Sequence, residues 1–416
     1  MLFTALHRVL GEAPGPITDE MIDAAVAVGL AETDDLDWKD RLPPTKALNE
    51  TDFPKDVAAM ANSGGGTLVY GVEESGKKAT TRRPVGVLTE VHERTLRAAA
   101  FNAVSPPVFG LEIHRIGEPG NEVVAVVVPP SIDGPHLIYR EKYFGAPIRN
   151  DADTEWMKER QIEQLYRARF DERSRSDSAL VSLYAEAVAG RNVQYRAWLI
   201  AVARPRVPFT PRSRPTRDDA RKMIAEAERS TLTWVGRAGI HPIESVTRKS
   251  PRPGLRRWNF VDTTTGESKW RESWMAVHHD ASVSLVTAIG GQRSSWHAEL
   301  TGWQIDSAAI EAAVSDFMAL VRAVGDHHGI GEYEARVGIE HASESPMLIE
   351  TVDGNGRHFN ASTIPLAVFT PVTATVLTDA SPLDFYWQVH DLAEDCINEG
   401  GISAVRLISP PPRDGS

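Results

Sequence analysis

The N-terminal part of the sequence changes from helical to strand spacing of its hydrophobic positions at a run of three glycines. Apolar residues recur at helical spacing through Phe53–Asn62, and the glycines at 64–66 follow directly. Glycine permits the left-handed backbone with which a chain leaves a helix and turns sharply. The next run, Thr67–Val72, is rich in β-branched and aromatic residues and predicts a strand. Gly71 within that run predicts a bulge or another backbone passing close by.

Similar patterns predict a first domain at residues 17–170. Thr18 is typical of a helix N-cap, and an apolar helical stripe runs from Ile22 to Leu30. Hydrophobic runs joined by glycine, proline and asparagine indicate a hairpin between 108 and 128. Further strands are expected at 36–42 and 136–149, a polar loop at 75–83, and helices at 91–104 and 154–170, the last with Thr154 as its cap.

The charged, serine-rich segment 171–178 predicts a linker to a second domain at 179–409. Helical patterns at 180–189, 306–324 and 385–398 are separated there by strand patterns, the last of them at 405–408. We therefore predict the α+β fold class: a mixed sheet with helices at 17–170, followed by a second α+β domain of unknown function.

Composition and charge narrow the range of functions. A chain of 416 residues is long enough for two or three domains, and no apolar run approaches the roughly 20 residues that span a bilayer. We therefore expect no membrane partner. The single cysteine, Cys396, excludes an internal disulfide, so we expect a cytoplasmic protein. The net charge of −12 argues against a general nucleic-acid coat protein, because phosphate binding draws on Lys and Arg.

The candidate chemistry lies in an acidic segment that ends in Asp37-Trp38-Lys39. Two-residue spacing on a strand puts Asp37 and Lys39 on one face. A carboxylate that holds a divalent cation, beside a lysine that steadies developing charge, suits phosphodiester hydrolysis. Glu32 lies a short turn earlier, and Glu74 follows the strand after the glycines. Carboxylate oxygens of this kind suit Mg²⁺ or Mn²⁺ rather than zinc.

Four segments in this order resemble the Schlafen-type AlbA domain, a nucleic-acid-binding family. They are the acidic segment 32–39, the helix–glycine–strand unit 53–74 that ends Gly-Val-Glu-Glu, Pro84-Val85-Gly86-Val87, and Tyr143–Arg149. The resemblance covers about residues 17–170 and nothing beyond them. It implies a mixed sheet with helices and contact with RNA or DNA.

Nuclease-active Schlafen proteins carry a Glu–Glu–Asp trio, and the resemblance places it at Glu32, Asp37 and Glu74. Glu73 is an alternative for the third position. Two identities differ from the family pattern, because Asp stands where Glu is usual and Glu where Asp is usual. The resemblance thus implies Glu32, Asp37 and Glu74 as metal ligands, and the spacing of Asp37 and Lys39 adds Lys39 as a further catalytic residue. The alternative is an acidic surface loop without catalysis.

Basic residues supply the candidate nucleic-acid contacts. We expect phosphate to meet Lys77, Lys78, Arg82 and Arg83 of the polar loop, together with Arg149. The stretch 204–257 carries 14 basic and five acidic residues, and its prolines and serines predict a loop-rich surface. That stretch is either a solvated surface or a patch for an anionic partner.

These observations predict a nucleic-acid-binding hydrolase of the Schlafen type, a nuclease that cleaves RNA with Mg²⁺ or Mn²⁺. Two other functions stay open: a non-catalytic DNA-binding regulator whose C-terminal domain senses a ligand or partner, and an assembly component. A single AlbA-type lobe offers half a groove, so we expect a homodimer. The alternative is that the C-terminal domain completes the groove.

Overall fold

The computed structural model divides the chain into two compact units, residues 1–175 and 176–416. The structure describes residues 3–411 apart from 87, 119–120, 141–142, 210, 212, 236–240, 248, 264–271, 292–299, 343 and 353–362. Helices and several sheets occur in both units, and the predicted α+β fold class is confirmed.

The helices of the described residues are α1 (Ala5–Leu10), α2 (Asp19–Ala27), α3 (Phe53–Asn62), α4 (Glu90–Asn102), α5 (Glu159–Val188), α6 (Arg217–Val235), α7 (Pro242–Thr247), α8 (Ser307–His328) and α9 (Pro382–Asn398). The strands of the first unit are β1 (Leu36–Lys39), β2 (Gly66–Tyr70), β3 (Val72–Ser75), β4 (Lys78–Arg82), β5 (Val104–Ser105), β6 (Glu112–Ile116), β7 (Val123–Val128), β8 (Leu137–Arg140), β9 (Tyr143–Gly145), β10 (Pro147–Asn150) and β11 (Asp153–Trp156). Those of the second are β12 (Trp198–Pro205), β13 (Arg252–Gly254), β14 (Arg257–Asp262), β15 (Ser273–His278), β16 (Val283–Ala288), β17 (Gln304–Asp306), β18 (Glu332–Glu340), β19 (Leu348–Glu350) and β20 (Val372–Leu377).

The first unit is built on a mixed four-stranded sheet in the order β1-β2-β7-β6. Strands β1 and β2 run parallel, whereas β7 is antiparallel to both of its neighbours. Alternate residues of β2 point to opposite faces. Leu68 packs in the core formed with α3 and α4, and Val69 packs in the core formed with α1 and α2. Helices therefore cover both faces of this sheet.

Glycines connect α3 to β2 because other backbone lies very close. Gly65 has a φ of +92°, and a Cβ on it would lie 2.8 Å from the Pro130 nitrogen and the Val128 oxygen. Gly71 has a φ of +104°; its N–H donates to the Lys39 carbonyl and its own carbonyl accepts from the Arg83 N–H. The predicted close approach of another backbone at Gly71 is confirmed.

Two local predictions for the first unit are wrong. The predicted polar loop 75–83 forms the hairpin β3–β4, in which Gly76 and Lys77 take the positive φ that a tight turn requires. Thr154 does not cap a helix, because it lies in β11 opposite Arg149 of β10. The segment 171–178, predicted as a linker, is helical and lies within α5, and the boundary between the two units falls inside it, after Arg175.

The second unit is built on a seven-stranded antiparallel sheet in the order β13-β14-β15-β16-β12-β18-β20. Helix α8 is buried along most of its length and belongs to the main core with residues of α6 and α9. The stretch 204–257 is not loop-rich, since it contains α6 and α7, and Trp234 and Trp258 pack against the core. Residues 405–408, predicted as a last strand, form none. Among the helices that the structure describes, none has the length and apolar character needed to cross a membrane.

Candidate functional site

A cavity of about 590 Å³ in the first unit brings together residues from four parts of the sequence. Its lining includes the four predicted catalytic residues, Glu32, Asp37, Lys39 and Glu74, and one of the five predicted nucleic-acid contacts, Arg149. The other lining residues are Trp38, Asp40, Lys55, Asp56, Glu73, Ala152 and Thr154. We call this cavity the acidic pocket, because six of its lining residues are acidic and three are basic.

Asp37 is held between two cations at the base of the acidic pocket. Its Oδ2 is 2.6 Å from Lys39 Nζ, and its Oδ1 accepts a hydrogen bond from Arg149 Nη1 at 3.1 Å. The Asp37 and Arg149 side chains are only 4% and 3% exposed, so water screens this pair very little. Arg149 Nη2 also donates to the Thr33 carbonyl at 3.1 Å. Arg149 thus fixes the acidic segment in place.

The end of α3 sets the position of Arg149. The Ser63 hydroxyl accepts a hydrogen bond from the Arg149 backbone N–H at 2.8 Å, and the Asn62 side chain donates to the Pro147 carbonyl at 2.8 Å. These bonds fasten β10 to the turn between α3 and β2. The Asn-Ser-Gly-Gly-Gly sequence therefore turns the chain and also positions the cation that contacts Asp37.

Glu32 is buried beside Asp37. Its carboxylate accepts a hydrogen bond from the Trp38 backbone N–H at 3.0 Å, and its own N–H donates to the Lys77 carbonyl at 2.8 Å. Burial raises the pKa of Glu32, and the negative charges of Asp37 and, more weakly, Glu74 raise it further. The Trp38 hydrogen bond and Lys39 act in the opposite direction without cancelling the shift. The acidic pocket therefore holds an excess of negative charge around Glu32.

Asp56 joins the acidic pocket although it is absent from the predicted site. Its Oδ2 is 3.6 Å from Lys39 Nζ, and burial raises the pKa of Asp56 to about 6, against the attraction of Lys39. The sequence does contain a pattern that could have singled out Asp56. Asp56 lies three residues after Phe53 and four before Met60, both fully buried, so an acid occupies the apolar stripe of α3.

Glu74 and Glu73 differ in their surroundings at the rim. The Glu73 carboxylate lies 2.6 Å from Arg83 Nη1, and Arg83 is also 3.8 Å from Asp40. Glu74 lines the acidic pocket without such an ion pair among the described residues, and its charge acts on Glu32. Of the two alternatives for the third acid, Glu74 is the one whose charge acts on Glu32.

Most of the remaining predicted nucleic-acid contacts have acidic partners within the chain. The Arg82 side chain, 12% exposed, contacts Asp19 and Asp23 of α2. Lys77 pairs with Asp153 at the tip of the β10–β11 hairpin, and Lys78 is exposed. Acidic partners thus engage most of the basic residues that we expect to meet phosphate.

The acidic pocket suits a divalent cation in donor chemistry and charge. Carboxylate oxygens are the donors that Mg²⁺ and Mn²⁺ prefer, and the raised pKa of Glu32 marks a place where positive charge is favourable. Within the described ranges, however, no group of three His, Cys, Asp or Glu side chains lies close enough together to hold a metal ion. A cation on Asp37 would have to share that carboxylate with Lys39 and Arg149.

Comparison with known families agrees with this architecture. Residues 32–158 match the Schlafen, AlbA_2 family. The predicted Schlafen-type AlbA domain is thereby confirmed. The matched segment of this Schlafen AlbA_2 domain begins at Glu32 and contains all the residues that line the acidic pocket. The match supports a nucleic-acid-related function for it.

Some solved structures are similar to part of this chain. One is the N-terminal domain of an ATP-dependent DNA helicase RecG-related protein from Nitrosomonas europaea, with 17% identity and a TM-score of 0.25 over 35% of this chain and 94% of that one. Another is the DIP2311 protein from Corynebacterium diphtheriae, with 14% identity and a TM-score of 0.24 over 52% of this chain and 41% of that one. Both TM-scores are low, so neither structure defines the fold of this chain. No curated protein matches the sequence.

Proposed function

We propose that the Schlafen AlbA_2 domain binds nucleic acid and that its acidic pocket cleaves RNA with Mg²⁺ or Mn²⁺. One observation carries the proposal: Glu32, Asp37, Lys39 and Glu74 line one cavity, although Glu74 lies on β3, far along the sequence from the other three. The family match supports the coarser part, a role with nucleic acid. Cleavage, the use of Mg²⁺ or Mn²⁺ and the preference for RNA are proposals that go beyond the family match.

Each side chain has a distinct part in the proposed reaction. Glu32, Asp37 and Glu74 would hold the cation, which when bound supplies positive charge to the phosphodiester as negative charge develops there. Lys39, whose pKa is raised by Asp56 and Asp37 against the effect of burial, stays protonated and stabilises the same charge. Asp56, with a pKa near 6, takes up or releases a proton close to neutral pH.

A second function is favoured by a different observation. Both oxygens of Asp37 already contact cations of the chain itself, Lys39 and Arg149. These contacts pair the buried carboxylate without a metal ion, as expected if Asp37 has a structural role. In this second function the domain is a non-catalytic DNA-binding regulator, and the second unit senses a ligand or partner.

Cleavage assays on structured RNA and on DNA, with and without Mg²⁺ or Mn²⁺, separate the two functions. We expect metal-dependent RNA cleavage by the wild-type chain and a loss of at least about 100-fold in Glu74→Gln. Glu74 is exposed, so this variant should fold normally. Asp34→Asn, which removes an exposed acid outside the acidic pocket, is the matched control and should cleave normally. Tight binding without cleavage under any of these conditions would favour the regulator.

A further inference from the structure

Trp156 lies beside the acidic pocket, and its side chain is unusually exposed to solvent. It is 53% exposed, whereas Trp38 and Trp198 are almost completely buried. Among the tryptophans that the structure describes, Trp156 alone is an exposed large hydrophobic residue. An exposed indole has a flat apolar surface that water hydrates poorly, which makes it a candidate contact for a planar partner.

The register of the β10–β11 hairpin places Trp156 on the same face as two pocket residues. Arg149 is directly opposite Thr154, and Pro147 is directly opposite Trp156. Directly opposed residues share a face, and so do residues two apart on one strand. Arg149 and Thr154 line the acidic pocket, so Trp156 continues that face outward by about 7 Å, the rise of two strand residues.

The indole is also held in place by the neighbouring strand. A Cβ on Gly145 of β9 would lie only 2.6 Å from Cε3 of Trp156 and 2.7 Å from Cζ3. The ring therefore rests against the backbone of β9 at the one position without a side chain. Because one side of the ring is supported and the residue is still half-exposed, a partner can stack without ordering a mobile side chain first.

We propose that Trp156 is the stacking platform for an unpaired base next to the acidic pocket. This inference rests on the proposed function and narrows its substrate to single-stranded nucleic acid. A base in a duplex is already stacked and cannot present its face to the indole, whereas an unpaired base can. The acidic lining of the pocket also limits how much binding can come from phosphate contacts. Stacking supplies affinity that does not depend on charge.

The test is the binding of the full-length chain to a labelled single-stranded RNA and to the same strand annealed to its complement. Fluorescence anisotropy is measured in EDTA and again with Mg²⁺. We expect the single strand to bind more tightly than the duplex, and Trp156→Ala to weaken single-strand binding by about tenfold. Trp156→Phe should stay within about threefold of the wild type, because it keeps an aromatic face.

Two further variants control for folding and for surface hydrophobicity. Phe101→Ala removes an aromatic side chain of matching exposure, 52%, from α4 and should bind normally. Gly145→Ala keeps the indole but displaces it, so its binding should fall as in Trp156→Ala while circular dichroism stays unchanged. Normal binding by Trp156→Ala, or a preference for duplex, would overturn the stacking platform and leave the proposed function standing. A wild-type chain that binds neither RNA in either buffer would overturn both.

Discussion

At the scale of single residues, Lys39 governs the charge balance of the acidic pocket. Its ammonium lies 2.6 Å from Asp37 and 3.6 Å from Asp56, so the two acids share one cation unequally. Asp37 has a second cation in Arg149. Burial raises the pKa of Asp56 to about 6, because the longer contact with Lys39 and the weaker attraction of Lys55 do not offset the burial and the negative charge of Asp37.

Asp56 should make stability depend on pH in a defined direction. The folded chain binds a proton at Asp56 near pH 6, whereas the unfolded chain does so only near the ordinary value of 3.8. The stabilisation is therefore present at low pH and is lost as pH rises from about 4 to about 6. Relative to Asp56→Asn, the wild-type free energy of unfolding should fall by about 2 kcal/mol between pH 4 and pH 7. Urea denaturation measures this, and parallel pH profiles would contradict it.

Substitution of Arg149 should first lower the stability of the fold and only secondarily affect nucleic-acid binding. Removing one member of a buried ion pair leaves the other charge unpaired, so Arg149→Gln and Asp37→Asn should each lower the free energy of unfolding by about 3 kcal/mol. The double variant should lose clearly less than the sum of the two single losses, because no buried charge is then left without a partner. Strictly additive losses in a denaturation cycle would show that the pair is not coupled.

At the scale of elements, the glycine turn after α3 holds the acidic pocket together. Its flanking residues bind β10 through Ser63 and Asn62, and its glycines allow β2 to start beside β1. Gly64 and Gly65 have nearly equal φ angles, +93° and +92°. The two glycines differ in the space around them. Nothing lies within 4 Å of a Cβ placed on Gly64, whereas backbone atoms lie 2.8 Å from a Cβ placed on Gly65.

Because of this difference, alanine substitutions at Gly64 and Gly65 form a matched pair of variants. Both Gly64→Ala and Gly65→Ala place a side chain at an unfavourable φ, so both should cost stability. Gly65→Ala must also displace the backbone at Val128 and Pro130, and it should cost about 1–3 kcal/mol more. Thermal unfolding of the two variants measures the difference. Equal melting temperatures would mean that the backbone at Val128 and Pro130 moves aside without cost.

At the scale of the whole molecule, the sheet of the Schlafen AlbA_2 domain ends, among the described residues, at an edge strand. Strand β6 is the outermost strand of the order β1-β2-β7-β6. An edge strand has unpaired backbone donors and acceptors and readily recruits another strand. We keep the expectation of a homodimer, with the alternative that a single chain completes the groove by itself.

Light scattering over a wide range of concentrations tests the dimer. We expect twice the mass of one chain, and we expect Arg115→Pro in β6 to shift the mass toward one chain, because the strand registers turn the Arg115 N–H away from β7 and proline removes that donor at the edge. Arg115→Ala, which removes the same side chain but keeps the backbone N–H, is the matched control. A mass of one chain at every concentration, with nucleic-acid binding intact, would refute the dimer.

The sequence alone determined the features that depend on neighbouring residues. Thr18 accepts the cap hydrogen bond from the Met21 N–H, and α3 has the bounds that the pattern predicts. Capping, glycine turns and β-branched runs act over a few residues, so the order of residues is enough to specify them. Glu32, Asp37 and Lys39 lie within one short segment, and their shared place in the acidic pocket follows from it.

Only the tertiary structure decided which charges meet. Arg149 contacts Asp37 across 112 positions of sequence, and that contact places Arg149 with the buried acid rather than on an open surface. The same hairpin puts Thr154 in a strand instead of a helix cap and directs Trp156 along the pocket face. Burial and charge pairing depend on which distant segments pack together. For that reason the pKa of Asp56, the partners of Arg82 and the exposed indole cannot be read from local pattern.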